Sequence, residues 1–498
     1  MYTNLVEVRF RAYPVGEPVR FREHCMSVEI HQIFAHRMSK KKVSKADGSA
    51  MLSLPVLNSH AAGVDVGSRF HMVAVGQDKE KEVRSFGVTT PDLHELCQFL
   101  QAQGVQRVAM ESTGYYWIPL FWMLQSYGFE AIVVNPGDIK RYNKPKSDPE
   151  DARWIQQLHA LGLLKPSFQM DNFGDSLRAF VRRRRNILDD CNRHMNRMHK
   201  VLVLMNVQVG TQLTDLGGAS GMDIVRDIVG GQRDPQMLLG HIRQGVKTSR
   251  AELLKALQGT WQPQYLFELK QLLAAYDLCT AQLGDCDQEV EQLLEHWHTE
   301  NNRTPPQADK AVSKAERKAV KGKNLPPLHT TRMLSSMLGL DLLQIQGMSG
   351  GTLLEIIAET GTDLSQFPSA KHYASWLGLA PNHRKSGGKT LSSHVPKRPN
   401  RAKNAFKMAA NAIGRCKEHP YKAFFANIQR KQGWKGAITA TARKLAVAYW
   451  HMVTQKEAFN PVQAEEYLKK RREATLKKIQ KSIKELDFSQ EELFRKAA

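Results

Sequence analysis

The chain has 498 residues and a formal net charge of +22, from 71 lysines and arginines against 49 aspartates and glutamates. This length predicts roughly two to four domains, and the charge indicates a polyanionic partner such as a nucleic acid. The sequence contains no run of about 18 apolar residues, so no transmembrane helix is predicted. None of the six cysteines belongs to a Cys-x-x-Cys pair, which is typical of reduced thiols in a cytoplasmic protein.

Residues 1–58 are basic and irregular and lack a signal-peptide pattern. We expect either a disordered arm or sequence translated from upstream of the true start, with Met38 or Met51 as the alternative start. We assign no function to this extension.

Residues 59–160 alternate short apolar runs, bounded by glycine or proline, with segments of helical spacing. Strands that alternate with helices predict an α/β domain with helices packed on a sheet. The predicted strands cover Ala62–Val75, Val105–Met110 and Ala131–Val134. The predicted helices cover Pro91–Gln103 and Trp117–Tyr127.

Four acidic residues lie on or just after these strands: Asp65, Glu111, Asp148 and Asp151. If neighbouring strands bring them together, they can hold two divalent metals that clamp the attacking and leaving oxygens of a phosphodiester. Carboxylate ligands of this kind suit Mg²⁺ or Mn²⁺. The ordered set therefore predicts a catalytic metal site.

Each acid also has a structural explanation. Asp148, Pro149 and Asp151 have the spacing of a helix start, with Asp148 as the N-cap and Asp151 as a capping-box-like partner. Glu111 can be a surface residue at a strand end. Asp65 is harder to explain in this way, because it interrupts an apolar run and an unpaired buried carboxylate is costly. For Asp148 and Asp151, capping and metal binding both remain open.

From residue 161 to 300 the sequence is helical, apart from a glycine-rich stretch at 211–245. Arg182–Arg185 point all around a helix, so some of these arginines need a partner, and we predict phosphate. Leucines spaced at three and four over Leu266–Trp297 predict helices that pack together. This packing can form a coiled-coil-like hairpin within the chain or an interface in a homodimer or tetramer.

A linker at 301–327, rich in lysine and proline, precedes a predicted C-terminal domain at 328–455 and a basic helical tail at 456–498. The C-terminal domain opens with a glycine-rich turn at 347–351. This turn resembles a helix-hairpin-helix, whose backbone amides can bind a phosphate.

The span from Leu364 to Lys417 contains no acidic residue. Its eleven lysines and arginines stand at 371, 384, 385, 389, 397, 398, 401, 403, 407, 415 and 417. A solvated face normally mixes signs, so charge of one sign indicates a nucleic-acid surface. The predicted contacts in this span are Arg384, Lys385, Lys389, Lys397, Arg398, Arg401 and Lys403.

Ser386 lies among these cations and is followed by two glycines, which let the backbone approach a ligand closely. Nearby cations can stabilise the charge that develops in phosphoryl transfer, so Ser386 is a candidate nucleophile, although most serines in such loops are turn residues. Its competitors are Ser349, Ser392 and Ser393. The nearby Gly-Gly-Lys-Thr is not a nucleotide-binding loop, because His383 stands where that motif needs glycine.

In order, these motifs are similar to those of the transposases of the insertion-sequence 110/1111 family, also called bridge RNA-guided serine recombinases. The resemblance rests on GVDVG, MESTGYYW, NP and KSDPEDAR, and then on LGLAP and RKSGG. It covers roughly residues 60–160 and 335–450. It implies an RNase H-like (RuvC-like) α/β domain, a helical middle and a mainly α-helical transposase domain.

The resemblance also implies roles for the residues singled out above. Asp65, Glu111, Asp148 and Asp151 would be the family's DEDD set, and Ser386 its serine nucleophile. A structured bridge RNA from the mobile element would pair with target and donor DNA. A phosphoserine link preserves the ester, so strands can be exchanged without a nucleotide energy source. A prokaryotic, nucleoid-associated protein is implied.

Three functions therefore stand side by side. The first is the RNA-guided recombinase, which forms a covalent protein–DNA adduct. The second is a metal-dependent nuclease or Holliday-junction resolvase, which uses water and does not need Ser386. The third is a non-catalytic nucleic-acid scaffold, whose acids only cap and solvate.

Overall fold

The computed structural model describes residues 55–76, 83–139, 148–306, 316, 324–345, 347–382, 384–387, 389–396, 399–459 and 462–485. Most of the predicted N-terminal extension and of the linker lies outside these residues. The chain divides into two compact units, residues 1–167 and 168–498. Within the described ranges, no helix is both long and apolar enough to cross a membrane.

The first unit contains a five-stranded mixed sheet in the order β3-β2-β1-β4-β5. Its strands are β1 (Ala61–Val66), β2 (Phe70–Val75), β3 (Arg84–Gly87), β4 (Arg107–Glu111) and β5 (Glu130–Val134). The neighbours β1–β2 and β2–β3 are antiparallel, whereas β1–β4 and β4–β5 are parallel. This sheet with its helices is compatible with the RNase H-like domain that the resemblance implies.

Helices cover both faces of the sheet. They are α1 (Thr90–Ala102), α2 (Trp117–Ser126), α3 (Pro136–Ile139) and α4 (Asp148–Ala160). On one face, Ala62, Val64 and Val66 of β1 share a core with α1 and α2. On the other face, Ala109 of β4 and Val134 of β5 share a core with α4. The alternation of side chains along each strand separates the two cores.

Helix α4 lies directly against β1 because Gly63 has no side chain. A Cβ at Gly63 would stand 2.5 Å from the carbonyl oxygen of Ala152 and 2.7 Å from Cα of Gln156. Real Cβ atoms do not approach backbone this closely, so only glycine allows the contact. Gly63 therefore determines how near the first unit's acid-bearing helix comes to the sheet.

The second unit is mostly helical. Its helices are α5 (Asn172–Leu204), α6 (Val209–Gln212), α7 (Ala219–Val229), α8 (Pro235–Leu239), α9 (Arg250–Ala256), α10 (Pro263–Glu300), α11 (Leu328–Leu338), α12 (Gly350–Thr360), α13 (Ala370–Trp376), α14 (Arg401–Arg415), α15 (Lys422–Gln455) and α16 (Val462–Glu485). A short 3₁₀ turn covers Leu342–Gln344. One two-stranded hairpin, β6 (Arg384–Ser386) and β7 (Lys389–Ser392), interrupts the helices.

Two cores hold the second unit together. In one, Ile187, Cys191 and Met198 of α5 lie with Leu272 and Tyr276 of α10, so the leucine-rich helices pack within the chain. The other contains residues of α5 and α10 to α15. At its centre, rings from α13, α14 and α15 lie 5.7–6.4 Å apart, and these belong to Tyr373, Phe406 and Tyr449.

The structure differs locally from the sequence predictions in three places. The single strand predicted over Ala62–Val75 is two antiparallel strands, because the chain turns at Gly67, where the Phe70 carbonyl oxygen occupies the place of a Cβ. Strand β3 was not predicted, since Phe86 is its only buried residue and it shows no apolar alternation. Hairpin β6–β7 was also missed in a domain predicted to be mainly helical.

We expect Gly63→Ala to lower the free energy of unfolding by at least about 1–3 kcal/mol, because the added methyl group would overlap backbone that no side-chain rotation can move. Urea unfolding followed by circular dichroism measures the change. Gly284→Ala on α10 is the control, because an added Cβ there would meet no heavy atom within 4 Å. We expect the free energy of unfolding of this variant to stay unchanged or to rise by up to about 1 kcal/mol. Unchanged stability of Gly63→Ala would contradict the close packing of α4 on β1.

Candidate active site

Asp65 and Glu111 lie at the same edge and on the same face of the sheet. Gly63 of β1 pairs with Ala109 of β4 in parallel register, and the two acids stand two residues further along each strand. Because side chains alternate, both acids are on the face that Gly63 and Ala109 present to α4. The predicted meeting of neighbouring strand ends is therefore found for these two acids.

Helix α4 packs against β1. Nε2 of Gln156 donates to the carbonyl oxygen of Ala61 at 3.3 Å, and the backbone of Gln156 and Ala152 lies against Gly63. Asp151 directly precedes Ala152, and Gly63 is two residues before Asp65. Both acids therefore adjoin the contact between α4 and β1.

The three acids whose side chains are described are partly or largely shielded from water. Glu111 and Asp151 are each 8% exposed, and Asp65 is half-buried. The predicted helix start is confirmed, since α4 begins at Asp148, whose side chain lies outside the described residues. Buried carboxylates cost free energy unless a cation or hydrogen bonds compensate them.

The side chains of the acidic set offer the type of ligand atom that hard divalent cations take. Among the described side chains, the oxygens of Asp65, Glu111 and Asp151 do not all lie within 4.8 Å of one another. Like charges repel, and a site for two metals about 3.5–4 Å apart spreads its ligands over both ions. All the donors are carboxylate oxygens, which Mg²⁺ and Mn²⁺ prefer.

A different group of potential ligands lies in the second unit. Nε2 of His329 on α11 is 3.8 Å from a carboxylate oxygen of Glu291 and 3.8 Å from one of Glu295, both on α10. The two glutamates are four residues apart on one helix face, where like charges are destabilising.

Ser386 is exposed at the end of β6. It pairs with Lys389 across the hairpin, and Gly387 makes the turn with a φ of 54°. This left-handed conformation favours glycine. The side chains of Arg384, Lys385 and Lys389 lie outside the described residues, so their predicted contacts stay predictions.

The competing serines are placed differently from one another. Ser349 caps α12, because its Oγ accepts from the backbone N–H of Thr352 at 3.1 Å. Ser392 lies at the end of β7, and its Oγ is 3.1 Å from Nδ1 of His394. A serine beside a histidine is a general arrangement for activating a nucleophile. His394 was not predicted as a site residue, although it stands only two residues after Ser392 in the sequence.

The predicted phosphate partners of Arg184 and Arg182 are replaced in the structure by carboxylates of the same chain. Arg184 is only 5% exposed, and its Nε lies 2.5 Å from Oδ1 of Asp287 on α10. Arg182 donates to both carboxylate oxygens of Glu359 on α12, at 2.8 and 2.7 Å. These partners come from distant parts of the sequence, which explains why the local pattern did not reveal them.

The other two arginines of the cluster are more exposed. Arg185 lies 3.2 Å from Glu355 and 3.4 Å from Asp189. Arg183 is exposed and donates to Oε1 of Gln282 at 3.3 Å. Arg182, Arg183 and Arg185 are thus exposed and only Arg184 is buried, so a phosphate contact of the exposed three stays a prediction.

The basic span contains both exposed and buried cations. Arg401 is exposed at the start of α14. Lys403 is only 6% exposed and its Nζ donates to the carbonyl oxygen of Pro396 at 3.3 Å. Lys403 therefore anchors the segment that follows the hairpin, which corrects its predicted place on the surface. Lys397 and Arg398 lie outside the described residues.

Comparison with known proteins gives two matches. Residues 62–207 match the family profile of the IS110 DEDD transposases, and residues 340–426 match the profile of the transposases of the IS116/IS110/IS902 family. The chain belongs to the IS110 family of transposases. It is thus an enzyme that cuts and rejoins DNA, which removes the non-catalytic scaffold from the three functions. No curated protein matches the chain.

The two matches cover the two groups of candidate catalytic residues. The first includes the four acids of this IS110 transposase, and the second includes Ser386. The DEDD class of the first match suggests the use of a divalent metal.

We expect Arg184→Ala to lower the free energy of unfolding by about 3–5 kcal/mol, because Asp287 loses a largely buried partner. Arg183→Ala is the control and should stay within about 0.5 kcal/mol. Urea unfolding measures both. The affinity of folded Arg184→Ala for duplex DNA, measured at several salt concentrations, should equal that of the parent. A stable variant with a flatter salt dependence would contradict the structural role and favour the predicted phosphate contact.

Proposed function

We propose that this IS110 transposase exchanges DNA strands through a phosphoserine intermediate formed by Ser386, with divalent metal held by the acidic set and with a structured bridge RNA as guide. The observation that carries the proposal is that Asp65 and Glu111 share one edge and one face of the sheet, and that Asp151 belongs to the helix that packs on this face. This placement supports a common role for three acids that are separated in sequence.

The acidic set would hold the metal, with Asp148 as its fourth member. When bound, Mg²⁺ or Mn²⁺ supplies Lewis-acid stabilisation of the charge on the phosphodiester oxygens. The chain itself supplies the rigid support. Glu111 is fixed by the β4 ladder, and Asp151 is fixed by the packing of α4 on Gly63. Support of this kind keeps ligands in place before substrate arrives.

Ser386 would attack the phosphorus of a DNA strand. Its hydroxyl gives up a proton, a new P–Oγ bond forms, and one P–O bond of the DNA backbone breaks, with the departing oxygen taking a proton. The number of phosphate esters is unchanged, so attack by another DNA hydroxyl on the phosphoserine rejoins the strand. The exposed place of Ser386 next to a glycine turn supports this role.

The second unit would bind nucleic acid through the span from Leu364 to Lys417. The lysines and arginines of this span have no acidic residue among them, so its charge is positive. Arg401 is exposed at the start of α14. If the RNA specifies the target by base pairing, the protein need only recognise backbone and shape. The bridge RNA, the RuvC-like character of the sheet domain and association as a dimer or tetramer are parts of this proposal.

The alternative is a nuclease or junction resolvase that uses water as nucleophile. The placement of Asp65, Glu111 and Asp151 within one compact unit favours it, because such a set can cleave a phosphodiester without a residue from elsewhere. Loss of Ser386 separates the two functions.

We expect Asp65→Asn to lower DNA cleavage in magnesium by at least roughly 100-fold, since it removes a charge at the reacting phosphate but almost no volume. Cleavage per folded molecule, with thermal unfolding alongside, is the measurement. Glu130→Gln is the matched control, because Glu130 is exposed at the opposite end of β5 and pairs with Arg107 at 2.8 Å. A loss that only follows the folded fraction would exclude the metal role.

We expect Ser386→Ala to abolish a covalent protein–DNA adduct and recombination, while DNA and RNA binding persist. Labelled DNA is incubated with enzyme, guide RNA and magnesium, and the label that stays on denatured protein is counted. Ser392→Ala is the control and should keep the adduct. If the adduct instead survives Ser386→Ala and disappears with Ser392→Ala, the nucleophile is the serine beside His394. Cleavage by the parent enzyme without any adduct would establish the water-using nuclease.

A further inference from the structure

Two exposed tyrosines lie in the loop that follows Glu111, the last residue of β4. Tyr115 is 84% exposed and Tyr116 is 51% exposed. The other tyrosines whose side-chain burial is described are buried or half-buried. Aromatic rings contribute large apolar surfaces when they are covered. The rings of Tyr115 and Tyr116 are left uncovered in the loop that follows Glu111. They therefore indicate a surface that binds a ligand.

The loop that carries these tyrosines is held by the sheet. The N–H of Ser112 donates to the carbonyl oxygen of Val134 at 3.0 Å, and the N–H of Thr113 donates to that of Glu111 at 3.0 Å. Gly114 then turns the chain with a φ of 56°. Tyr115 and Tyr116 are thus tied to the ends of β4 and β5.

A third exposed ring lies on the other side of the acids. Phe70 begins β2 and is 43% exposed. Met72 pairs with Asp65 across the β1–β2 ladder, so alternation puts Phe70, two residues earlier, on the face of Asp65. Arg69 beside it is exposed. Since β1 lies between β2 and β4, Phe70 and the tyrosines after β4 stand at the same end of the sheet as the acids, on either side of β1.

The chemistry of this edge favours bases over phosphates as ligands. Before metal binds, the carboxylates repel the phosphates of a DNA strand. A strand beside the acids is then held better by contacts that do not depend on charge. Stacking of neutral bases on aromatic rings supplies such contacts, and every base has a face that can stack. In a duplex these faces are covered by neighbouring bases, so rings of this kind bind unpaired bases.

We propose that Tyr115 and Tyr116, with Phe70 on the opposite side, stack on unpaired DNA bases that flank the phosphate to be cut. This rests on the proposed function, in which the acidic set is the cleavage site. It deepens that function by giving the substrate a structure: DNA that is locally unpaired at the cut.

The test measures binding in EDTA, so that no cleavage occurs and the result does not depend on the phosphoserine chemistry. The probes are a DNA duplex and the same duplex with a short central bubble that carries 5-iodouracil. The parent protein should bind the bubble more tightly than the duplex. On irradiation, the iodouracil should crosslink to the peptide that contains Tyr115 and Tyr116.

We expect Tyr115→Ala to weaken the affinity for the bubble DNA by about 5- to 150-fold. This loss corresponds to the usual 1–3 kcal/mol of one base–aromatic stack. Tyr115→Phe and Tyr115→Trp should retain the preference, because stacking needs the ring and not the hydroxyl. Phe267→Ala removes a ring of similar exposure, 66%, on α10, and should have no effect.

Three results would overturn the inference. They are equal affinity of the parent for bubble and duplex, unchanged bubble binding by Tyr115→Ala, and crosslinks that fall only on other peptides. Each leaves the adduct experiment on Ser386 unaffected. Conversely, a parent that forms no adduct but shows the tyrosine-dependent preference would refute the phosphoserine mechanism and keep the stacking site.

Discussion

The absence of a side chain at Gly63 is the constraint on which the first unit depends. It lets the backbone of α4 rest on β1, and Asp65 and Asp151 adjoin this contact. It also shields Glu111 and Asp151 from water. Buried carboxylates need hydrogen bonds or a cation to compensate them, so the close contact at Gly63 places Asp151 where its charge depends on what surrounds it.

The second unit uses charge in the opposite way. The guanidinium groups of Arg182 and Arg184 form ion pairs with Glu359 and Asp287. These ion pairs join α5 to α12 and α10. Two arginines of the densest run of positive charge thus form links within the chain, and only Arg184 among the four is buried. Positive charge without acidic neighbours remains in the span from Leu364 to Lys417, where the sequence itself contains no acid to neutralise it.

Much of the first unit could be predicted because its signals are local. Apolar runs marked the positions of four of the five strands, and alternation along them is enough to place Asp65 and Glu111 on one face. Contacts between distant segments could not be predicted in the same way. The partner of Arg184 is about a hundred residues away in the sequence, and Lys403 is buried by a fold that its own neighbourhood does not reveal. Hairpin β6–β7 is short and polar, so it lacks an apolar pattern.

Hairpin β6–β7 has a consequence for when the enzyme is ready to react. Each strand has only the other as a neighbour, and none of its residues with described burial is buried. A two-stranded ribbon of this kind is marginally stable in water, and local opening is easiest where few apolar groups are buried. Ser386 therefore stands on an element that opens at low free energy. Any ligand that binds only the closed ribbon also aligns the serine, so under the proposed mechanism substrate binding and alignment of Ser386 become a single equilibrium.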